Sequence, residues 1–144
     1  MDAGRTRLHG SCVAVDGQGL LVLGASGSGK SNLALRLMAY GAALVADDQV
    51  ILTARDGRIV AASPPVLRGR IEARGLGLLR ATPAPPVPLA AVADLDRAET
   101  ERLPPLRHIT LLGLDLPLFH RVDGIDFAAA LMQVLRGGRS DPDD

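Results

Sequence analysis

The stretch Gly24-Ala25-Ser26-Gly27-Ser28-Gly29-Lys30-Ser31 constrains this chain more than any other. It fits the pattern G-x-x-x-x-G-K-[ST]. It stands between an apolar run, Gly19 to Leu23, and a helical pattern, Asn32 to Tyr40. Strand, glycine loop and helix in that order are the context in which this pattern binds phosphate. Glycines let the backbone curl until its N–H groups converge on a concavity suited to phosphate oxygens. The start of the following helix adds donors without intrahelical partners and the positive end of the dipole. Lys30 is then expected to reach the β- and γ-phosphates, and Ser31 Oγ to ligate Mg²⁺. Lys30 is also the only lysine in the chain, every other basic side chain apart from histidine being arginine. A dinucleotide fingerprint is excluded, because Gly24, Gly27 and Gly29 do not fit G-x-G-x-x-G.

With 144 residues the chain suits one domain, 1–144, with 1–7 and 138–144 expected as frayed ends. Acidic and basic residues balance at 16 each, which argues against bulk electrostatic attraction to nucleic acid or to a membrane surface. Tyr40, Phe119 and Phe127 are the only aromatics, too few for a base-stacking platform. Cys12 stands alone, so there is no disulfide framework and no thiolate metal cluster. No apolar run approaches the ~20 residues of a membrane span. A reducing cytoplasm is the expected compartment.

Leu8 to Val15 reads as a strand, Asp16-Gly17-Gln18-Gly19 as a tight turn, and Leu20 to Leu23 as the returning strand. An antiparallel hairpin therefore precedes the loop. The helix should run from about Lys30 to Tyr40, with Leu33, Leu37 and Met38 toward the core and Gly41 ending it. Ala42 to Ala46 is fully apolar, as a buried central strand is, and ends in Asp47-Asp48. Two carboxylates at the carboxyl end of a buried strand are costly unless something uses them. In open α/β sheets the ligand crevice lies outside such strand ends, so both are expected to face the phosphates and Mg²⁺. Gln49–Thr53 and Arg58–Ala62 flank Asp56-Gly57 as a second hairpin. Val66 to Ala73 reads as a short helix, on which Glu72 is an ordinary surface acid. Ala81 to Pro88 is irregular, Leu89 to Leu95 a strand, and Asp96 to Pro105 a mobile loop. Ile109–Leu114 and Leu116–Val122 are further strands. Asp123 caps a helix from Gly124 to about Leu135, with Ile125, Ala128, Ala129 and Met132 on its inner face. The fold class is thus α/β: a phosphate-binding-loop domain with a mixed sheet and a C-terminal helix.

Four segments in this order resemble the catalytic domain of the HPr kinase/phosphorylase family. They are Leu8-His9-Gly10, the loop Gly24–Ser31, Val45-Ala46-Asp47-Asp48, and Ile71-Glu72-Ala73-Arg74-Gly75-Leu76-Gly77-Leu78-Leu79. The resemblance covers about residues 8 to 80. It implies a kinase that uses ATP and Mg²⁺ to phosphorylate a serine on an HPr-like phosphocarrier protein, with phosphorolysis of the phosphoserine as a second activity. It implies catalytic roles for His9, Lys30, Asp47 and Asp48, and Mg²⁺ ligation by Ser31 and Glu72. Arg102, in Glu101-Arg102-Leu103, stands where the family places an arginine in a mobile loop near the active site. The family also implies a homo-oligomer, a hexamer. The chain is expected to be a short form without the family's N-terminal domain, and Leu116 to Arg121 matches the family's phosphorolysis segment poorly.

Phosphoryl transfer calls for positioning and charge neutralisation. A carboxylate within reach of the serine hydroxyl accepts its proton. Neighbours on a strand point to opposite faces, so Asp47 and Asp48 divide the work. Asp48, nearer the open end, is the expected base and Asp47 the residue that orients metal-bound water, with the reverse assignment as the alternative. His9 orients the base or stabilises transferred charge. Two other readings stay open: a nucleotide-binding sensor or scaffold without turnover, and a phosphate-loop kinase acting on a small molecule.

Overall fold

The computed structural model describes residues 4–140. Local turn chemistry organises much of it. Asp16-Gly17, Asp56-Gly57 and Leu112-Gly113 all hold positive φ at both positions, as type I′ hairpin turns require. They close three antiparallel pairs: β2 (Ser11–Val15) with β3 (Gln18–Leu23), β5 (Gln49–Arg55) with β6 (Arg58–Ala62), and β10 (Arg107–Leu111) with β11 (Leu114–Arg121). The first two hairpins match the sequence expectation. The third corrects it, because leucine at a left-handed position is not a turn signal and Leu112 was read inside a strand.

One long strand, β9 (Val87–Ala98), joins these pieces. It runs parallel to β3 and to β11, and its first residues pair antiparallel with β6. The order in the sheet is β1-β5-β6-β9-β3-β2-β4, where β1 is Arg5–His9 and β4 is Ala43–Ala46. The sheet is therefore mixed, as expected. Residues 5–7 lie in β1 and pair with β5, which corrects the reading of 1–7 as a frayed end. Residues 1–3 and 141–144 lie outside the described residues. The expected strand from Leu8 to Val15 is two strands divided at Gly10, where an added Cβ would stand 3.0 Å from Val22 O.

Period-2 alternation splits the core between two faces. Val13, Leu20, Val22, Ala91 and Ala93 pack under helices α1 (Lys30–Ala39) and α2 (Phe127–Gly137), with Leu33, Leu37, Leu131 and Met132. Cys12, Leu21 and Val92 face the other way, against Val50, Leu52, Ile59 and Ala61 of the curled-over strands. Burial pushes the Cys12 thiol up to about 12, so it is an inert apolar filler.

Three further corrections concern position. β4 is buried on its faces but lies at one end of the sheet order, its free edge covered by a bridge to Pro83 and by Ala84 N–H donating to Leu44 O at 2.7 Å. Apolar composition reports covered faces, not paired edges. Val66 to Ala73 is not a helix. A short 3₁₀ turn (Pro65–Leu67) leads into β7 (Arg70–Ala73), which pairs with β8 (Gly77–Arg80) as a separate two-stranded sheet. Helix α2 is capped by Asp126, whose side chain accepts from Ala129 N at 3.2 Å, whereas Asp123 pairs with Arg121. Its buried face is Ala128, Leu131, Met132 and Leu135, while Ile125 is exposed. Among the described residues no helix is long and apolar enough to cross a membrane.

Candidate active site

Strands β3 and β4 both pair antiparallel with β2, which lies between them, so their carboxyl ends meet at one edge of the sheet. The segment 24–29 leaves β3 there, and Asp47 leaves β4. The start of β2, Ser11, lies at the same edge. This topology brings residues distant in sequence to one carboxylate. Asp47 is buried, and its two oxygens receive three side-chain or backbone donors. Ser31 Oγ stands 2.8 Å from Oδ1 and 2.9 Å from Oδ2. Ser11 Oγ donates to Oδ1 at 2.6 Å. Glu72 N–H, on β7, donates to Oδ2 at 3.1 Å. A buried carboxylate without such partners would be costly. Here it orients the Ser31 hydroxyl and leaves the lone pairs of that oxygen pointing elsewhere.

Asp48 is different. It is exposed, and its φ of +70° is rare outside glycine. Gln49 N–H donates to Asp47 O at 2.8 Å, closing a three-residue turn around it. Gly10 N–H, one residue after β1, donates to Asp48 O at 3.2 Å. The strain of such a backbone, about 1–3 kcal/mol, is typical of functional positions. It turns Asp48 out of the sheet toward His9, whose Nδ1 is 3.7 Å from Asp48 Oδ1.

The loop itself is held from two sides. Lys30 Nζ donates to Gly24 O at 2.7 Å and to Ala25 O at 3.0 Å. Ala25 N–H donates to Asp96 Oδ1 at 2.9 Å. Gly24 is packed so closely that a Cβ there would meet Ser28 Oγ and stand 3.2 Å from Leu95 Cβ. Gly27 and Gly29 hold positive φ with open space where a Cβ would be. Among the described residues the amides of Gly27, Gly29, Lys30 and Ser31 have no hydrogen-bond partner. Ser28 Oγ is likewise buried without one. An unpartnered set of donors at a helix start is a fit for anionic oxygens.

His9, Lys30, Ser31, Asp47, Asp48 and Glu72 thus share one edge. Glu72 sits on a strand and not on a helix, its side chain exposed beside the Asp47 cluster. Among the described residues Arg102 has no hydrogen bond or ion pair to any member of this group. It is exposed in the segment between β9 and β10. Among the described residues no three His, Cys, Asp or Glu side chains cluster as a metal cage. Ser31 and Glu72, the residues expected to ligate Mg²⁺, both reach Asp47, Ser31 through its hydroxyl and Glu72 through its backbone N–H; one hydroxyl and one carboxylate would suit a cation that keeps most of its ligands as water and phosphate oxygens. Two contributors were not read from the sequence. Ser11 carried one signal, a hydroxyl at the head of an apolar strand. Asp96 carried the same signal as Asp47, an acid at the carboxyl end of a buried strand.

A curated HPr kinase/phosphorylase of Clostridium beijerinckii is 46% identical over 80 residues, 56% of this chain and 26% of that protein. Its counterpart from Clostridium tetani is 48% identical over 77 residues, 54% of this chain and 25% of that protein. The chain therefore matches about a quarter of the length of these relatives. The structure of the Hpr(Ser) kinase/phosphatase from Coxiella burnetii superposes with a TM-score of 0.77 at 21% identity, covering 91% of this chain and 94% of that one. At that identity the match speaks for the fold, a mixed α/β sheet with two helices. The family model for the HPr serine kinase C-terminal domain matches residues 2–83, more than half of the 144. On the strength of that match, this chain belongs to the HPr serine kinase C-terminal domain family.

Proposed function

We propose that this chain is an ATP- and Mg²⁺-dependent kinase that phosphorylates a serine of an HPr-like phosphocarrier protein in the cytoplasm. The observation that carries this is the division of labour between adjacent carboxylates. Asp47 is buried with both oxygens taken by Ser11, Ser31 and the Glu72 amide. Asp48 is exposed beside His9. Simple nucleotide binding asks for the loop and the Ser31 side. It does not ask for an exposed carboxylate beside it, held in a strained backbone.

In this reading the segment Gly24–Ser31 holds the phosphates through its free amides, and Lys30 leaves its carbonyl partners to meet the β/γ oxygens. Ser31 Oγ and the Glu72 carboxylate would hold Mg²⁺, which when bound would neutralise phosphate charge. Asp47 accepts from the Ser31 hydroxyl and so leaves the lone pairs of Ser31 Oγ free for such a cation. Asp48 accepts the proton of the incoming serine hydroxyl, and His9 restrains the carboxylate. In phosphorolysis the phosphoryl group passes from phosphoserine to inorganic phosphate, giving pyrophosphate, and Asp48 in its protonated form gives the proton back to the leaving serine oxygen. Assembly into a homo-oligomer belongs to the same proposal, supported by the exposed Val66, Leu76 and Leu78 side chains.

The test is transfer of labelled phosphate from ATP to a purified HPr-like phosphocarrier, with acid-stable phosphoserine as product. Wild type should transfer and Lys30→Ala should not. Tight ATP binding without transfer to any phosphocarrier would leave a nucleotide-binding sensor as the better account.

A further inference from the structure

A cleft of about 230 Å³ opens beside the loop, lined by Ser28 and Gly29 but by neither Asp47 nor Asp48. Its floor is one face of α1. Gly29, Asn32, Leu33 and Arg36 follow the i, i+3, i+4, i+7 spacing that places them in one stripe. The opposite walls are Leu95, at the end of β9, and Ile125 to Ala128, at the start of α2. Ser31 points to the other side of the helix, toward Asp47. Phosphates held by the loop would therefore lie between Ser31 on one side and the mouth of this cleft on the other.

We infer that the cleft is the subsite for the purine base of the nucleotide, with Ile125 and Asn32 as its specificity-determining residues; this rests on the phosphate-loop reading above. Three features of the lining carry it. Ile125 is 58% exposed although it borders the cleft, an apolar surface that a planar ring would cover. Asn32 offers one donor pair and one acceptor to a ring edge. Arg36 is held in place by Asp126, its Nη2 lying 3.2 Å from Oδ1, and Asp126 is in turn fixed by Tyr40 Oη and by capping α2. A guanidinium immobilised in this way is a preformed surface for stacking. Ser28, whose buried Oγ lacks a partner among the described residues, also lines this cleft, between the phosphates and the base. The apolar walls favour the two-ring bases over the single-ring ones, because stacking and burial grow with ring area.

The experiment compares affinities by calorimetry for ATP, GTP, CTP and inorganic tripolyphosphate, on wild type, Ile125→Ser and Asn32→Ala. Ile125 is exposed and Asn32 is on the helix surface, so both variants should fold, and circular dichroism checks this. ATP and GTP are expected to bind more tightly than CTP, and all three more tightly than tripolyphosphate. Each variant should weaken the purine nucleotides by about tenfold, the loss of one side chain's apolar or polar contact, while leaving tripolyphosphate unchanged. Equal affinity for ATP and tripolyphosphate, or variants that weaken neither nucleotide, would overturn the base subsite and leave the phosphate loop standing. Failure of every polyphosphate to bind would overturn the phosphate-loop reading and this inference with it.

Discussion

Ser11 Oγ donates to Asp47 Oδ1 at 2.6 Å, with both residues buried and 36 positions apart in the chain. The contact fixes the carboxylate from the side opposite β7. Ser11→Ala removes one donor and leaves the others, so unfolding free energy should fall by about 1 kcal/mol, the net worth of one hydrogen bond. A urea titration measures this. On the proposed mechanism kcat falls while the affinity for ATP holds, because Asp47 positions Ser31 and does not touch the nucleotide. Unchanged kcat would reduce Ser11 to a packing role.

Asp47 and Asp48 should separate cleanly under substitution. Asp47→Ala strands the buried Ser11 hydroxyl and frees Ser31, with an expected loss of about 1–3 kcal/mol in stability. Asp48→Asn should unfold at the same denaturant concentration as wild type. The site is exposed and asparagine tolerates positive φ. Phosphoserine formation by Asp48→Asn should nevertheless drop by roughly 10²–10⁴, the usual contribution of a general base. An active Asp48→Asn protein would assign the base to another group.

The loop glycines are not equivalent. Gly24→Ala drives a Cβ into Ser28 Oγ and close against Leu95. Overpacking of this kind costs about 1–3 kcal/mol and should displace the loop enough to abolish ATP binding. Gly27→Ala meets no atom within 4 Å, and its cost is the left-handed backbone alone, about 1–2 kcal/mol. Parallel measurements of melting and ATP affinity distinguish the two. Equal damage at both positions would contradict the packing geometry.

Acid stability should depend on Glu99. Its carboxylate accepts from Arg107 Nε and Nη2, both at 2.9 Å, and from the amides of Thr100 and Glu101. The Arg107 hydrogen bonds, with the Glu101 amide, hold it down from the ordinary 4.5 to about 2. A group lowered on folding stabilises the native state above its unfolded value and loses that contribution as pH falls toward the folded one. Wild type should therefore weaken as pH drops from 4.5 toward about 2. Glu99→Gln should show a flatter profile across that range and lower stability at neutral pH. Chemical denaturation at several pH values checks both.

Features decided within a few residues were legible without a structure. Asp16-Gly17 and Asp56-Gly57 specify their hairpins through left-handed turn preference, a local property. The loop from Gly24 to Ser31 specifies a strand–loop–helix unit because glycine spacing and the helix start act over a single turn. Asp47 was legible as an acid at the end of an apolar strand. Misreadings arose where two local signals competed. Asp123 and Asp126 are both plausible caps, and the ion pair of Asp123 with Arg121 leaves Asp126 to cap α2. Arg70 to Ala73 has helical composition but a pairing partner in Gly77 to Arg80.

By itself the sequence determined the mixed α/β class, the two hairpins and the residue types gathered at the carboxyl ends of β3 and β4. Only the tertiary structure decided which of two adjacent aspartates is buried, that Ser11 and the Glu72 amide serve it, and that Asp96 anchors the loop at Ala25 from 71 positions away. The physical reason is range. Propensity and turn chemistry act between neighbours along the chain, whereas a buried carboxylate is satisfied by whatever donors the sheet order places at its edge.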